Sequence, residues 1–109
     1  ATKASRTMIR QLEEDQKRRS KRALTDAIDR ALIDLLAIYR DVLVVQVGGD
    51  GELINTDLSD LVHEIAQDST PRQTLARVDH IETARKRLVS NGNPLLVLED
   101  MAISLRPQA

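Results

Sequence analysis

Apolar residues recur at three- and four-residue steps through most of this chain, the period of a helix with one buried face. The clearest run is 24–46. Leu24, Ile28, Ala31, Leu32, Leu35, Leu36, Tyr39, Val42 and Leu43 mark the inward stripe, and Asp26, Arg30, Asp34, Arg40 and Asp41 fall mostly between them. Asp26 and Arg30 are four apart and are expected to pair on the exposed face. Val42-Leu43-Val44-Val45 has strand-like composition, but it continues the helical period and is read as helix until Gly48-Gly49-Asp50-Gly51 stops it. Residues 3–22 are rich in good helix formers. They carry only a thin apolar stripe of Met8, Ile9 and Leu12. One helix over 6–46 would be about 60 Å long at ~1.5 Å per residue. That is longer than a domain of this size is wide, so the first half must project, bend or pack on something outside this chain.

After the glycine-rich loop, Asn55 or Thr56 can cap a helix whose apolar face is Leu58, Leu61, Val62 and Ile65. Ser69-Thr70-Pro71 is a cap followed by proline at the first helical position. The face of that third helix reads Leu75, Val78, Ile81, Ala84 or Arg85, and Leu88. Arg85-Lys86-Arg87 sits near its C-terminus, where the helix dipole favours cations. Gly92 or Asn91 can take the left-handed conformation that closes it. Asn93 then caps a last helix beginning at Pro94, with Leu95, Leu98, Met101, Ala102 and Leu105 inward and Pro107 closing it. The expectation is an all-α fold: a small bundle of four to five helices with a long N-terminal helix or helix pair.

Composition adds limits. At 109 residues and 41% apolar, the chain has room for one core. Tyr39 is its only aromatic residue, so that core is aliphatic. With no cysteine, thiolate chemistry and Cys-ligated metals are excluded. No apolar run approaches the ~20 residues that span a bilayer. The start at Ala-Thr, without Met, suggests a piece of a longer protein. The net charge of −1 conceals an asymmetry: residues 1–22 hold eight Lys/Arg against Glu13, Glu14 and Asp15, and residues 23–109 hold eight against fourteen acids. The expected division is therefore a basic connector helix or arm over 1–22 and a helical body over 23–109. Lys17, Arg18, Arg19, Lys21 and Arg22 form the basic cluster, a candidate for phosphate contact. A solvated connector fits it equally. With no aromatic neighbour for base stacking, single-strand recognition is disfavoured.

Enzyme motifs fail on inspection. His63-Glu64 begins like a metalloprotease helix, but Gln67 stands where the second histidine belongs. The glycine-rich loop lacks the Gly-Lys-Ser/Thr of a phosphate loop. Asp50 to Asp57 lacks the spacing and closing Glu of a calcium loop. No serine has a nucleophile context. No catalytic residue, metal ligand or cofactor site is assigned.

Three segments in order carry a family resemblance. They are Asp29-Arg30-Ala31-Leu32-Ile33-Asp34-Leu35-Leu36 running into Tyr39-Arg40-Asp41-Val42-Leu43; then Leu53-Ile54-Asn55-Thr56-Asp57; then Ala84-Arg85 and Leu88 through Asn91-Gly92-Asn93-Pro94-Leu95-Leu96 to Leu98-Glu99. Together they resemble the C-terminal, or collar, domain of bacterial DNA polymerase III delta prime, in the clamp-loader gamma/tau/delta prime family. Gly92 departs from the pattern, which often has a β-branched or other residue there. The resemblance implies a non-catalytic, cytoplasmic oligomerisation domain without cofactors. Its partners would be the other clamp-loader subunits (gamma/tau and delta), and DNA would be reached indirectly through the loader ring. The equivalent domain of gamma/tau and a helical DNA-binding regulator are the alternatives. Apolar residues beyond one stripe fit such a role, since they call for burial from two sides. Ile33, Ile38, Val44, Val45, Leu96, Val97 and Ile103 are the candidate subunit interface, with weak self-association of the isolated chain as a consequence. Ordinary internal burial is the competing reading, especially for Ile33 and Val97.

Overall fold

A computed structural model describes residues 2–49, 51–90 and 93–106. The described residues form helices α1 (Lys3–Gln46), α2 (Ser59–Asp68), α3 (Pro71–Ser90) and α4 (Pro94–Ser104), with a 3-10 turn at Thr56–Leu58 before α2. None of the described residues is in a strand. Asn91, Gly92 and Pro107, expected to close α3 and α4, lie outside the described residues.

α1 is a single helix of 44 residues, about 66 Å at ~1.5 Å per residue. Thr2 starts it by accepting a hydrogen bond from the Ser5 N–H. From Lys3 to Leu24 every residue is exposed except the half-buried Asp15, and the first buried residue is Ile28. The N-terminal half therefore projects. The radius of gyration is 19.6 Å, against the ~13 Å of a compact chain of this length. The second half is the wall on which α2, α3 and α4 all pack. Its end is a glycine cap: Gly48 has φ +68°, its N–H donates to the Val45 carbonyl at 3.2 Å, and the Gly49 N–H donates to the Val44 carbonyl at 3.0 Å. A side chain at Gly48 would strain this left-handed position.

The core joins Ile28 and Leu32 of α1, Ile81, Ala84 and Leu88 of α3, and Val97 and Met101 of α4. Leu35, Leu36, Tyr39, Leu98 and Leu105 pack at its edge. The inward faces differ from expectation on every helix; on α1, Leu24 and Ala31 of the expected stripe are exposed. On α3, Thr74 is buried and Leu75 is exposed, so the stripe is Thr74, Ile81, Ala84 and Leu88. The Thr74 hydroxyl makes this possible, because it donates to Gln46 Oε1 at 2.7 Å. On α4, Pro94, Val97 and Met101 face inward, while Leu95 and Ala102 are exposed. α4 is apolar on nearly every side, so its pattern has no phase from which to read the buried face. On α2, Val62 is buried and Leu61 points outward.

Polar side chains fix the corners. Gln46 Nε2 donates to the Ser69 carbonyl at 3.0 Å and to Ser69 Oγ at 3.1 Å, tying the end of α1 to the α2–α3 corner. Thr70 and Gln73 form a reciprocal capping box at the start of α3, at 2.9 and 3.2 Å. Asn93 caps α4 by accepting from the Leu96 N–H at 3.2 Å. Arg85 on α3 grips Asp29 on α1, Nε to Oδ1 at 2.8 Å and Nη2 to Oδ2 at 3.3 Å. Asp29 is thus an interhelical partner rather than a solvated charge. The hydrogen bond from Arg85 holds its carboxyl below the usual range. The expected Asp26–Arg30 pair does not form, and a pair worth a few tenths of a kcal/mol cannot hold two exposed side chains in place.

Asp41 departs furthest from the pattern. Expected between the apolar positions as a surface charge, it is 0% exposed. Its Oδ1 accepts from the Ile54 N–H at 2.8 Å, and its Oδ2 accepts from the Asn55 N–H at 2.8 Å and the Asn55 side-chain amide at 2.9 Å. Asn55 therefore spends its side chain on Asp41 and makes no side-chain cap of the following turn. Burial pushes the Asp41 carboxyl up, but the backbone donors of Ile54 and Asn55, the Asn55 amide and the Arg40 charge together bring it below its ordinary 3.8.

A depressed folded-state value means the unfolded chain binds protons first as pH falls. The stabilisation is complete above the ordinary value and disappears as pH drops toward the folded one. Melting temperature should therefore fall below about pH 4. Asp41→Asn should cost about 2 kcal/mol at neutral pH, because one N–H loses its acceptor. It should also flatten the acid limb relative to the parent, as followed by circular dichroism across that range. An unchanged acid limb would exclude Asp41 as a source of the acid sensitivity.

Candidate subunit interface

The interface candidates fall into three groups. Val97 is 1% exposed and belongs to the core, which removes it from any outward surface. It follows Pro94 by one turn, so the capped start of α4 turns both residues inward together. Ile38, Val44 and Val45 are half-buried by this chain's own packing. Val44 is covered in part by the glycine loop, where a Cβ placed on Gly49 would lie 3.6 Å from Val44 Cγ1. Ile33, Leu96 and Ile103 are exposed.

Leu96 and Ile103 are 47% and 59% exposed. Seven residues apart on α4, they lie on one line two turns long, and Leu95 and Ala102 form a parallel line beside it. All four are exposed, with Glu99 among them. The outward side of α4 is thus an apolar strip with Glu99 within it and Asp100 at its edge. Val89, at the end of α3 just before the α3–α4 corner, is 90% exposed. Leu75 and Leu95 also lie on the surface, although their spacing placed them in the core. What could have revealed Leu95 is the cap itself. Pro94 is buried, and Val97 three residues on shares its side of the helix, which leaves Leu95 and Leu96 outside.

The basic candidates Lys17, Arg18, Arg19, Lys21 and Arg22 are all exposed on the projecting half of α1. Arg18 pairs with Asp15, and the other four have no ion-pair partner among the described residues.

A cleft of about 150 Å³ between α3 and the end of α4 is lined by Gln73, Ala76, Arg77, His80, Ser104 and Arg106. Arg77 turns part of its charge to the Tyr39 ring, with 5.9 Å to the centroid. His63 uses Nδ1–H to donate to the Ser59 carbonyl at 2.7 Å on its own helix. Among the described residues no three His, Asp or Glu side chains are grouped to hold a metal ion, and no helix is long and apolar enough to cross a membrane.

A family model for the DNA polymerase III delta subunit, C terminal, matches residues 4–106, nearly the whole chain. The chain belongs to that family. It is also similar to DNA polymerase III subunit delta' of Bacillus subtilis, with 36% identity over 72 residues, covering 66% of this chain and 22% of the relative. The match thus spans about a fifth of that relative's length. No solved structure matches. The Asp41 clamp gives the family segments a physical meaning: it joins Tyr39-Arg40-Asp41 to Ile54-Asn55, two stretches that resemble the family and are separated by the loop.

Because Leu96 and Ile103 are about half exposed and lie outside the core, replacing either by serine should change stability by no more than about 1 kcal/mol. Val97→Ala should cost about 2 kcal/mol, since it empties part of a packed core. Urea unfolding of the three variants checks this, and equal losses would mean that α4 is seated in a different phase.

Proposed function

We propose that this chain is the non-catalytic oligomerisation (collar) domain of a DNA polymerase III clamp-loader subunit of the delta prime type. In this reading, residues 23–109 pack beside the corresponding domains of gamma/tau and delta and hold the loader ring together. Residues 1–22 are the connector arm. DNA is reached through the assembled ring, in the cytoplasm, and the domain itself uses no cofactor.

The observation that carries the proposal is the outward side of α4. Leu95, Leu96, Ala102 and Ile103 are exposed on a helix whose other face already supplies Val97 and Met101 to the core. A lone bundle gains nothing from greasy residues on its outer helix. A neighbouring helix laid along α4 would bury them, at roughly 25 cal/mol per Å² of apolar area. Membership in the family, and the similarity to a protein named subunit delta', support the assignment to this assembly.

The test mixes this chain with the C-terminal domain of gamma/tau from the same source and measures mass by light scattering. The mixture should contain a species heavier than either component, and Leu96→Glu with Ile103→Glu should abolish it while leaving the helical spectrum intact. A mixture whose mass never exceeds that of the separate components would sink the proposal for the isolated domain.

A further inference from the structure

The projecting half of α1 carries a second surface, outside the bundle and away from α4. Lys17, Arg18, Lys21 and Arg22 are related by three- and four-residue steps and therefore share one side of the helix across about two turns. Arg19 extends the charge around the side. No acid interrupts residues 16–22. Asp15 pairs with Arg18, while Glu13 and Glu14 one turn earlier make no ion pair. Asp26, one turn beyond Arg22, makes none either. The body's acids otherwise begin at Asp29, about 10 Å farther along the axis from Arg22 at ~1.5 Å per residue. That exceeds the ~8 Å screening length of physiological salt. A straight helix thus holds four cations without ion-pair partners among the described residues, and the Asp15-paired Arg18, out in solvent beyond most of the acidic body.

We infer that this side of α1 is a docking surface for the phosphate backbone of a nucleic-acid duplex, bound without regard to sequence. The arm has the features such contact requires. Its cations are long and exposed, and Arg makes up three of the five, a side chain suited to two-pronged hydrogen bonding with phosphate oxygens. A helix about 10 Å across can lie along or across a duplex groove without bending. It has no aromatic side chain to stack on splayed bases, which disfavours single strands. An anionic membrane is the rival electrostatic partner. It is less favoured because the apolar residues Leu12, Ile9 and Met8 lie roughly one and a half to two and a half turns before the cation cluster, and the arm has no Trp, Tyr or Phe to anchor at a lipid interface. The inference concerns the arm alone and does not depend on collar assembly.

The experiment uses the whole chain and fluorescence anisotropy of two labelled double-stranded DNA fragments of unrelated sequence, about 20 base pairs each. Four phosphate contacts predict a slope near −3.6 in log K against log salt, a loss of roughly a hundredfold between about 50 and 200 mM salt. Affinity should be the same for both sequences. Replacing Lys17, Arg18, Lys21 and Arg22 together by Ala should reduce binding at low salt at least tenfold. Alanine favours helix, so circular dichroism should stay unchanged. Replacing Arg30 and Arg72, on the body, by Ala should leave binding intact. Binding that ignores salt, or is unaffected by the fourfold variant, or is absent for duplex but present on vesicles containing phosphatidylserine, would overturn the inference.

Discussion

A carboxylate sealed inside the bundle sets the geometry of the rest. Asp41 has no exposed surface and three N–H donors, all from Ile54 and Asn55. It holds the chain where it returns from the glycine cap, so that α2 starts against α1 rather than away from it. Removing either side of that arrangement would leave buried polar groups without partners, which is costlier than any single apolar contact nearby. Gln46 performs the same duty one turn later for the α2–α3 corner. Once those two corners are fixed, α3 is antiparallel to the second half of α1. Asp29 and Arg85 meet across them, and α4 closes the remaining side of the core.

The elements themselves were legible from local patterns. Thr70-Pro71 and Asn93-Pro94 announce helix starts through capping chemistry, and both caps form. The long run to Gln46 and its glycine stop follow from helical period and from glycine's tolerance of positive φ. What local pattern could not supply is phase where every side of a helix is apolar, and partners where they come from a distant segment. α4 illustrates the first: its buried residues are Pro94, Val97 and Met101, not the Leu95 and Ala102 that an equally good three-to-four spacing selects. Asp41 and Asp29 illustrate the second. An Asp flanked by Ile38 three residues before and Val45 four after sits on an apolar stripe, and that placement was the available sign that it is buried. Nothing local marks Asp29, because its partner is 56 residues away.

For the candidate surfaces the division is similar. The basic cluster of the arm is visible in composition, since charge needs no fold to be counted. Its isolation from the acidic body becomes clear only when α1 is seen to continue unbroken past the bundle. The apolar interface required knowing which residues the chain covers by itself. Packing removes Val97, half-covers Ile38, Val44 and Val45, and leaves Ile33, Leu96 and Ile103, to which Leu95 and Val89 are added. One helix thus serves two neighbourhoods: α1 offers a wall to its own bundle at one end and a charged rod to solvent at the other. α4 offers one face inward and one outward.

α1 is one helix held in two different ways, by tertiary packing after Leu24 and by local hydrogen bonds alone before it. Amide hydrogen exchange of the free chain reads that directly. Residues 28–46 should exchange only through global opening, and residues 6–22 should exchange at least ~100-fold faster by local fraying. Protection continuing undiminished to the N-terminal turns would contradict it, because the arm would then be buried against something in the free chain.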